Sequence, residues 1–151
     1  MYVTGTEKGE VQPCPTMAWL LHHSPSNTNV IFDLGLRKDI THFPPGVQDR
    51  IKSTFTIEVK EDVYDSLRAA KINPQTDINT VILSHLHFDH IGDPRHFGPH
   101  TQFVMGPNSF DLIQGPNNYP ANADSTFNSE LFPHGRSEQL PSATDYSFGN
   151  L

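Results

Sequence analysis

Three of the nine histidines in this 151-residue chain fall within six positions, together with an aspartate. His85, His87, Asp89 and His90 follow an apolar stretch, TVIL at residues 80–83, with Ser84 between the two. Neutral imidazole and carboxylate groups suit zinc, and also iron or manganese. The cluster therefore predicts a divalent-metal site, for one or two zinc ions, of the kind that activates water for hydrolysis.

The spacing within the cluster indicates how the side chains share this site. In extended backbone His85 and His87 point to the same side, because side chains alternate along a strand. After the chain turns, Asp89 and His90 can reach an adjacent position, so two metals about 3.5–4 Å apart could share the loop. A single loop histidine is usually a solvated side chain, but three with an aspartate directly after a buried strand favour metal binding. Asp89 is also the predicted catalytic residue, which would orient a metal-bound hydroxide.

The elements around the cluster must hold it in place, and several are visible in the sequence. Apolar stretches at residues 17–22 and 30–34 flank a dense turn signal and predict a β-hairpin. Residues 61–71 (EDVYDSLRAAK) have the apolar spacing of an amphipathic helix. Further strands are predicted at 80–83 and 101–105 and short helices near 47–52 and 108–114, and this order indicates a mixed α/β (α+β layered) domain.

From Gly115 onward the apolar pattern fades, and Asn, Pro, Ser and Gly dominate. We therefore predict a single, incomplete domain over residues 1–151, with its core at about 17–114 and a loop-rich tail at 115–151. Large aromatic residues are expected to form core or pocket wall: Trp19, Phe43, Phe55 and Phe103.

The charge and the cysteine content limit the partners and the compartment. Ten Lys and Arg against 17 Asp and Glu give a net charge of −7, which disfavours nucleic acid and anionic membranes as partners. There is a single cysteine, Cys14, so no internal disulfide is possible, which fits a reducing compartment. No apolar run approaches the roughly 20 residues of a membrane span, and the first residues do not have the pattern of a secretory signal. We predict a cytoplasmic protein that acts on a small-molecule substrate; the oligomeric state stays open.

Two segments resemble a known family. SHLHFDHIGD is similar to the HxHxDH signature of the metallo-β-lactamase superfamily, and VIFDLG resembles its strand that ends in Asp-x-Gly. The closest similarity is to the lactonase-like branch, and it covers about residues 19–105, with weaker likeness to about residue 140. The resemblance implies an αββα sandwich built from two similar halves, of which this chain, apparently truncated, supplies the first.

The same resemblance implies a role for each residue of the motif. His85 and His87 would bind one metal, and Asp89 and His90 would bind the second. Asp33 would support the site from behind, or serve only as a strand-end cap. The implied function is a metal-dependent hydrolase that attacks a small-molecule lactone, thioester or amide through a metal-bound hydroxide.

The chain departs from the family pattern after the motif. The family's third histidine, bridging aspartate and last histidine have no counterpart here, and the only histidine after His100 is His134, in a polar loop. His134 is not expected to be a ligand. The alternative function is therefore a catalytically inactive, truncated remnant that lacks the downstream ligands. A nuclease of the same superfamily is disfavoured by the acidity, and an iron-dependent oxidative member is not separated from the hydrolase.

Overall fold

A five-stranded sheet is the centre of the fold. A computed structural model of the protein describes residues 12–142. The strands are β1 (Trp19–His23), β2 (Thr28–Phe32), β3 (Thr80–Ile82), β4 (Gln102–Met105) and β5 (Ser137–Gln139), and they lie side by side in chain order. β1 pairs with β2 antiparallel, as the predicted hairpin requires, whereas β2 to β5 are parallel. The expected mixed α/β class is confirmed.

Three α-helices connect or follow the strands: α1 (Pro45–Thr54), α2 (Val63–Ala69) and α3 (Ser109–Ile113). Helix α2 begins at a capping box, in which the Asp62 side chain accepts from the backbone N–H of Asp65 and the Asp65 side chain accepts from that of Asp62. Helix α1 is longer than predicted because Pro45 occupies its first turn, where a proline is tolerated. Among the described residues, no helix is long and apolar enough to cross a membrane.

The hydrophobic core lies on one face of the sheet. Ile31, Val81 and Phe103 are opposite one another on β2, β3 and β4, and each is at most 1% exposed. Helix residues complete the core cluster, among them Val47, Ile51, Leu67 and Ile113. Phe43 and Phe103 are buried as predicted, but Trp19 and Phe55 are 56% and 46% exposed. The prediction for these two was wrong: Trp19 lies on an edge strand and Phe55 directly follows the end of α1.

The segment expected to be a loop-rich tail contributes to the sheet and to the core. β5 pairs with β4, and Phe132 is 4% exposed and packs 5.7 Å from Phe103, centroid to centroid. Arg136 donates to the carbonyl oxygens of Gly98 and Thr101. The core therefore extends beyond residue 114, because tertiary contacts stabilise a polar strand, Ser-Glu-Gln, that has no apolar alternation of its own.

Candidate metal centre

Two chain segments meet at the carboxyl-terminal edge of the parallel strands, where ligand sites of open α/β sheets form. One is the segment after β2 and the other is the loop after β3, which carries the histidine motif. The N–H of Asp33 donates to the Ile82 carbonyl at 2.8 Å, and that of Leu34 donates to the His90 carbonyl at 2.7 Å. The N–H of Gly92 donates to the Gly35 carbonyl at 2.9 Å. These bonds fix the motif loop against the segment after β2.

The close approach of the two segments requires unusual backbone. Gly92 has φ +42°, and a Cβ atom built there would lie 2.5 Å from Cβ of Leu34. Asp33 has φ +60°, in the left-handed region that non-glycine residues rarely adopt. Such conformations persist only where surrounding contacts over-determine them, and they concentrate at functional sites.

The carboxylate of Asp33 is the hub of the site. Its side chain is 7% exposed and accepts from the backbone N–H of Ser84 at 2.7 Å and from the Ser84 hydroxyl at 2.7 Å. His90 Nδ1 lies 2.8 Å from the same carboxylate. Because a carboxylate only accepts, His90 Nδ1 carries a proton, and in the neutral imidazole the lone pair is then on His90 Nε2. Asp33 thus holds His90, a predicted ligand, in the neutral tautomer that can bind a metal, a role beyond that of a strand-end cap.

Ser84 extends this control to a second histidine. The single hydroxyl proton of Ser84 goes to Asp33, so its oxygen can only accept from His85 Nδ1, 3.0 Å away. In the neutral ring the lone pair of His85 is then on Nε2. The sequence interpretation missed Ser84, whose only signal is its position between a strand and the motif.

The four predicted ligands come together as two adjacent pairs. His85 Nε2 lies 3.1 Å from His87 Nδ1, and His90 Nε2 lies 3.6 Å from an oxygen of Asp89. Two nitrogens bound to one tetrahedral zinc are about 3.3 Å apart, so these separations fit shared coordination. The His85 and His90 rings are 4.0 Å apart, centroid to centroid, which makes the pairs neighbours.

The donor chemistry fits zinc, but each pair supplies only two protein ligands. Within residues 12–142 there is no group of three or more His, Cys, Asp or Glu side chains that could hold a metal ion.

Burial lowers the pKa of His85, and the neighbouring His90 and His87 lower it further, whereas the carboxylates of Asp89 and Asp33 act in the opposite direction. The net effect favours neutral imidazole, the form that binds metals.

An apolar cavity of about 160 Å³ adjoins the ligands. His87 lines it together with Phe43, Phe88 and Phe127, and the rings of Phe43 and Phe88 meet edge to face at 6.1 Å. Arg50 also lines it. The predicted role of Phe43 as pocket wall is confirmed.

A buried cation, Arg37, packs against Phe43, which lines this cavity. Arg37 is 1% exposed, and its guanidinium carbon is 4.4 Å from the centroid of the Phe43 ring. None of its side-chain nitrogens has a hydrogen-bond partner in the described part of the chain. Burial lowers the pKa of Arg37 to about 10, and the charge of Asp93 partly offsets this effect. The sequence interpretation did not identify Arg37.

Other histidines lie elsewhere. His96 stacks on Tyr64 at 4.4 Å, and His22 contacts Asn29. His134 is exposed and begins the turn that leads into β5. Since β5 is parallel to β3, its start faces the edge of the sheet opposite the motif loop. These positions agree with the prediction that His134 is not a ligand.

A family model described as the metallo-beta-lactamase superfamily matches residues 11–142. The chain belongs to this superfamily. The resemblance of the two motifs is therefore confirmed at the level of the family.

Several curated relatives from fungi are similar to this superfamily member. This chain is 40% identical over 121 residues to cytochrome P450 monooxygenase mpaDE of Penicillium roqueforti. The match covers 78% of this chain and 14% of that protein. It is 36% identical over 95 residues to gamma-lactamase FDB1 of Fusarium pseudograminearum, covering 60% of this chain and 23% of the relative. Gamma-lactamase MBL2 of Gibberella moniliformis is 43% identical over 81 residues, with 52% and 33% covered. The chain thus spans at most a third of these relatives.

Solved structures share the fold. An N-acyl homoserine lactone hydrolase with N-hexanoyl-L-homoserine bound at its catalytic metal centre matches with a TM-score of 0.62 and 17% identity, over 97% of this chain and 54% of that one. A variant of AiiA from B. thuringiensis, with N-decanoyl-L-homoserine bound at its active site, matches with a TM-score of 0.58 and 16% identity. This match covers 89% of this chain and 50% of that one. This chain spans about half the length of both.

Proposed function

We propose that this chain carries the HxHxDH metal-binding part of a zinc-dependent hydrolase that opens small lactones or lactams. The observation that carries the proposal is the Asp33–Ser84 network, which binds the Nδ1 protons of His85 and His90 and so places the lone pairs of the neutral rings on their Nε2 atoms, at one edge of the sheet. The similarity to gamma-lactamases and to a lactone hydrolase supports the substrate class. Zinc is the expected metal, and iron or manganese would suit the same donors.

Each site residue has a stated task in this proposal. His85 and His87 would hold one ion, and Asp89 and His90 the other. When bound, zinc would polarise the scissile carbonyl and lower the pKa of a water to about 7. Asp89 is the candidate catalytic residue, because its carboxylate is 36% exposed and can accept a proton or orient water at the open side of the site. The phenylalanine-lined cavity beside His87 would bind the apolar part of the substrate.

The proposal is tested by zinc titration calorimetry combined with a panel of lactones and lactams. His87→Ala removes a proposed ligand, and His134→Ala is the matched control, an exposed histidine in the turn before β5. We expect the zinc ion at the His85–His87 pair and any zinc-dependent ring opening to be lost in His87→Ala, and both to be unchanged in His134→Ala. Equal zinc affinity in both variants would remove the proposed site.

A second candidate function is a metal-binding chain that is catalytically inactive by itself. The observation that favours it is that each metal would have only two protein ligands, since residues 12–142 contain no group of three or more His, Cys, Asp or Glu side chains that could hold a metal ion. In that case zinc would bind through His87 as above, but weakly, and no lactone or lactam would be opened. Zinc-dependent turnover by the purified chain would exclude this candidate.

A further inference from the structure

The cavity beside His87 carries a charge opposite to that of the protein as a whole. Among its described lining residues there is no Asp or Glu, and Arg50 is the only Lys or Arg. The whole chain, in contrast, has a formal net charge of −7. Because a cleft with apolar walls strengthens the field of the charge that lines it, this cavity favours an anionic ligand.

Arg50 is free to bind such a ligand. It lies on α1, three residues after Val47, so the two side chains share the helix face that lines the cavity. Arg50 is exposed, and within residues 12–142 its guanidinium has no hydrogen bond and no ion pair. Arg95, by contrast, is paired with Asp93. A free guanidinium presents its donors as a planar fork that matches the two oxygens of a carboxylate.

The volume of the cavity limits the apolar part of the ligand. It is about 160 Å³, and an apolar protein cavity of about 150 Å³ binds one benzene molecule. Aromatic rings form much of the wall, from Phe43, Phe88, Phe127 and Phe132. An apolar group of about six carbon atoms, as a ring or a short chain, therefore fills the cavity, and ring walls suit a ring in particular.

We propose that Arg50 is a specificity-determining residue, and that the preferred substrates are small lactones or lactams whose apolar body carries a free carboxylate. The apolar body fills the cavity, the carboxylate pairs with Arg50, and the ring to be opened lies toward His87, which lines the same cavity. For the ring-opening step this inference rests on the proposed function. The pairing of Arg50 with a carboxylate does not depend on it.

Two probes that differ in charge but hardly in shape test the pairing: 4-fluorobenzoate and the neutral 4-fluorobenzamide. Their binding is followed by fluorine NMR titration, with and without added zinc, on the 151-residue chain and on Arg50→Gln, Arg50→Lys and Arg68→Gln. Arg68 is the matched control, because it is an exposed arginine on α2 that does not line the cavity. Circular dichroism checks that each variant folds.

We expect the unmodified chain and Arg68→Gln to bind the benzoate about tenfold or more tightly than the benzamide, because hydrogen bonds between two charged groups are the strong ones. Arg50→Gln should lose this preference, and Arg50→Lys should keep part of it, since an ammonium retains the charge without the fork. No binding of the benzoate, or equal binding of both probes by the unmodified chain, would overturn the proposal. A preference that needs zinc and survives in Arg50→Gln would overturn it too, because the carboxylate would then bind the metal.

Turnover separates this inference from the proposed function. The ring opening of γ-(4-carboxyphenyl)-γ-butyrolactone and of its carboxamide is compared with zinc present. We expect Arg50→Gln to lower the ratio of the two kcat/KM values, acid over amide, by about tenfold through a higher KM for the acid, and Arg68→Gln to leave the ratio unchanged. Ring opening at an unchanged ratio in Arg50→Gln would overturn the role of Arg50. No ring opening of either compound would contradict the proposed function, and the probe titration would then decide on the carboxylate pairing by itself.

Discussion

The two sides of the candidate metal centre differ in how firmly they are held. On one side, Asp33, Ser84 and His90 are joined by hydrogen bonds of 2.7–2.8 Å, and the Asp33 side chain is 7% exposed. On the other side, the side chains of Asp89, 36% exposed, and His87, also exposed, contact other proposed ligands: Asp89 contacts His90, and His87 contacts His85. We call these the fixed side and the open side.

This difference indicates which part of the site the fold positions before any metal binds. The fixed side is made by contacts between residues about 50 positions apart in the chain, so it is a property of the sheet. The open side lies on the turn within the motif itself, and a bound metal would order it. We therefore expect substitutions on the fixed side to change both folding and metal affinity, and those on the open side to change metal affinity alone.

The largest effect is expected at Gly92, next to the fixed side, where the motif loop approaches the segment after β2 most closely. Gly92→Ala should lower the free energy of unfolding by about 3 kcal/mol, because the new Cβ would meet Leu34 at 2.5 Å in a left-handed backbone. Gly46→Ala is the control, since no atom lies within 4 Å of its Cβ position. Urea unfolding should find Gly46→Ala at least as stable as the unmodified chain; a similar stability of both variants would contradict the close approach.

The next effect comes from removing the hub of the fixed side. Asp33→Asn should weaken zinc binding by about 10- to 100-fold, because the amide no longer orients His90 through its Nδ1 proton. It should also destabilise the chain by about 2 kcal/mol, because the amide keeps only one acceptor oxygen for the two bonds that Ser84 donates and leaves the other donor unpaired. Asp89→Asn, on the open side, should weaken zinc without loss of stability, as measured by calorimetry and urea unfolding. Comparable destabilisation by both would remove the distinction between the sides.

A smaller effect on stability is expected at Asp93, and it tests whether the charge interaction of Asp93 with the buried Arg37 stabilises the fold next to the fixed side. Burial alone would raise the pKa of Asp93, but hydrogen bonds from Arg95 and the charge of Arg37 lower it overall. A lowered pKa means that the ionised carboxylate stabilises the fold above its unfolded pKa of about 3.9 and that this contribution is lost as the pH falls through the folded pKa. Asp93→Asn should therefore cost about 1–2 kcal/mol at pH 7.

The pH dependence supplies the control for that variant. The difference in unfolding free energy between the unmodified chain and Asp93→Asn should begin to shrink below about pH 4 and should vanish only as the pH falls through the lowered pKa of folded Asp93, where its carboxyl becomes neutral. A difference that stays constant from pH 7 down to about pH 2 would show that the charge of Asp93 is not the cause.

The smallest effect is expected at Ser84. Ser84→Ala keeps Asp33 and His90 in contact but removes the acceptor for His85 Nδ1. Zinc affinity should fall by less than about tenfold and stability by about 1 kcal/mol. A loss of zinc affinity as large as that of Asp33→Asn, measured in the same titration, would mean that Ser84 rather than Asp33 is the residue that orients the ligands.

The sequence was sufficient to predict the motif, the hairpin and the strand that leads to the ligands, because each depends on local residue types. Asp33 could be placed near the site only through the resemblance to the family. Its contact with Ser84 depends on the parallel pairing of β2 with β3, which no local pattern encodes. β5 could not be predicted either, since its three polar residues form a strand only by pairing with β4. Arg37 was missed because arginines are normally exposed.

Zinc-edge anomalous diffraction from crystals of the protein soaked in zinc is the most direct test of the metal site. We expect a peak about 2.0–2.3 Å from His85 Nε2 and His87 Nδ1, and a second at similar distances from His90 Nε2 and an oxygen of Asp89. Zinc peaks at other histidines, such as His96 or His134, with none at the motif loop would contradict the account.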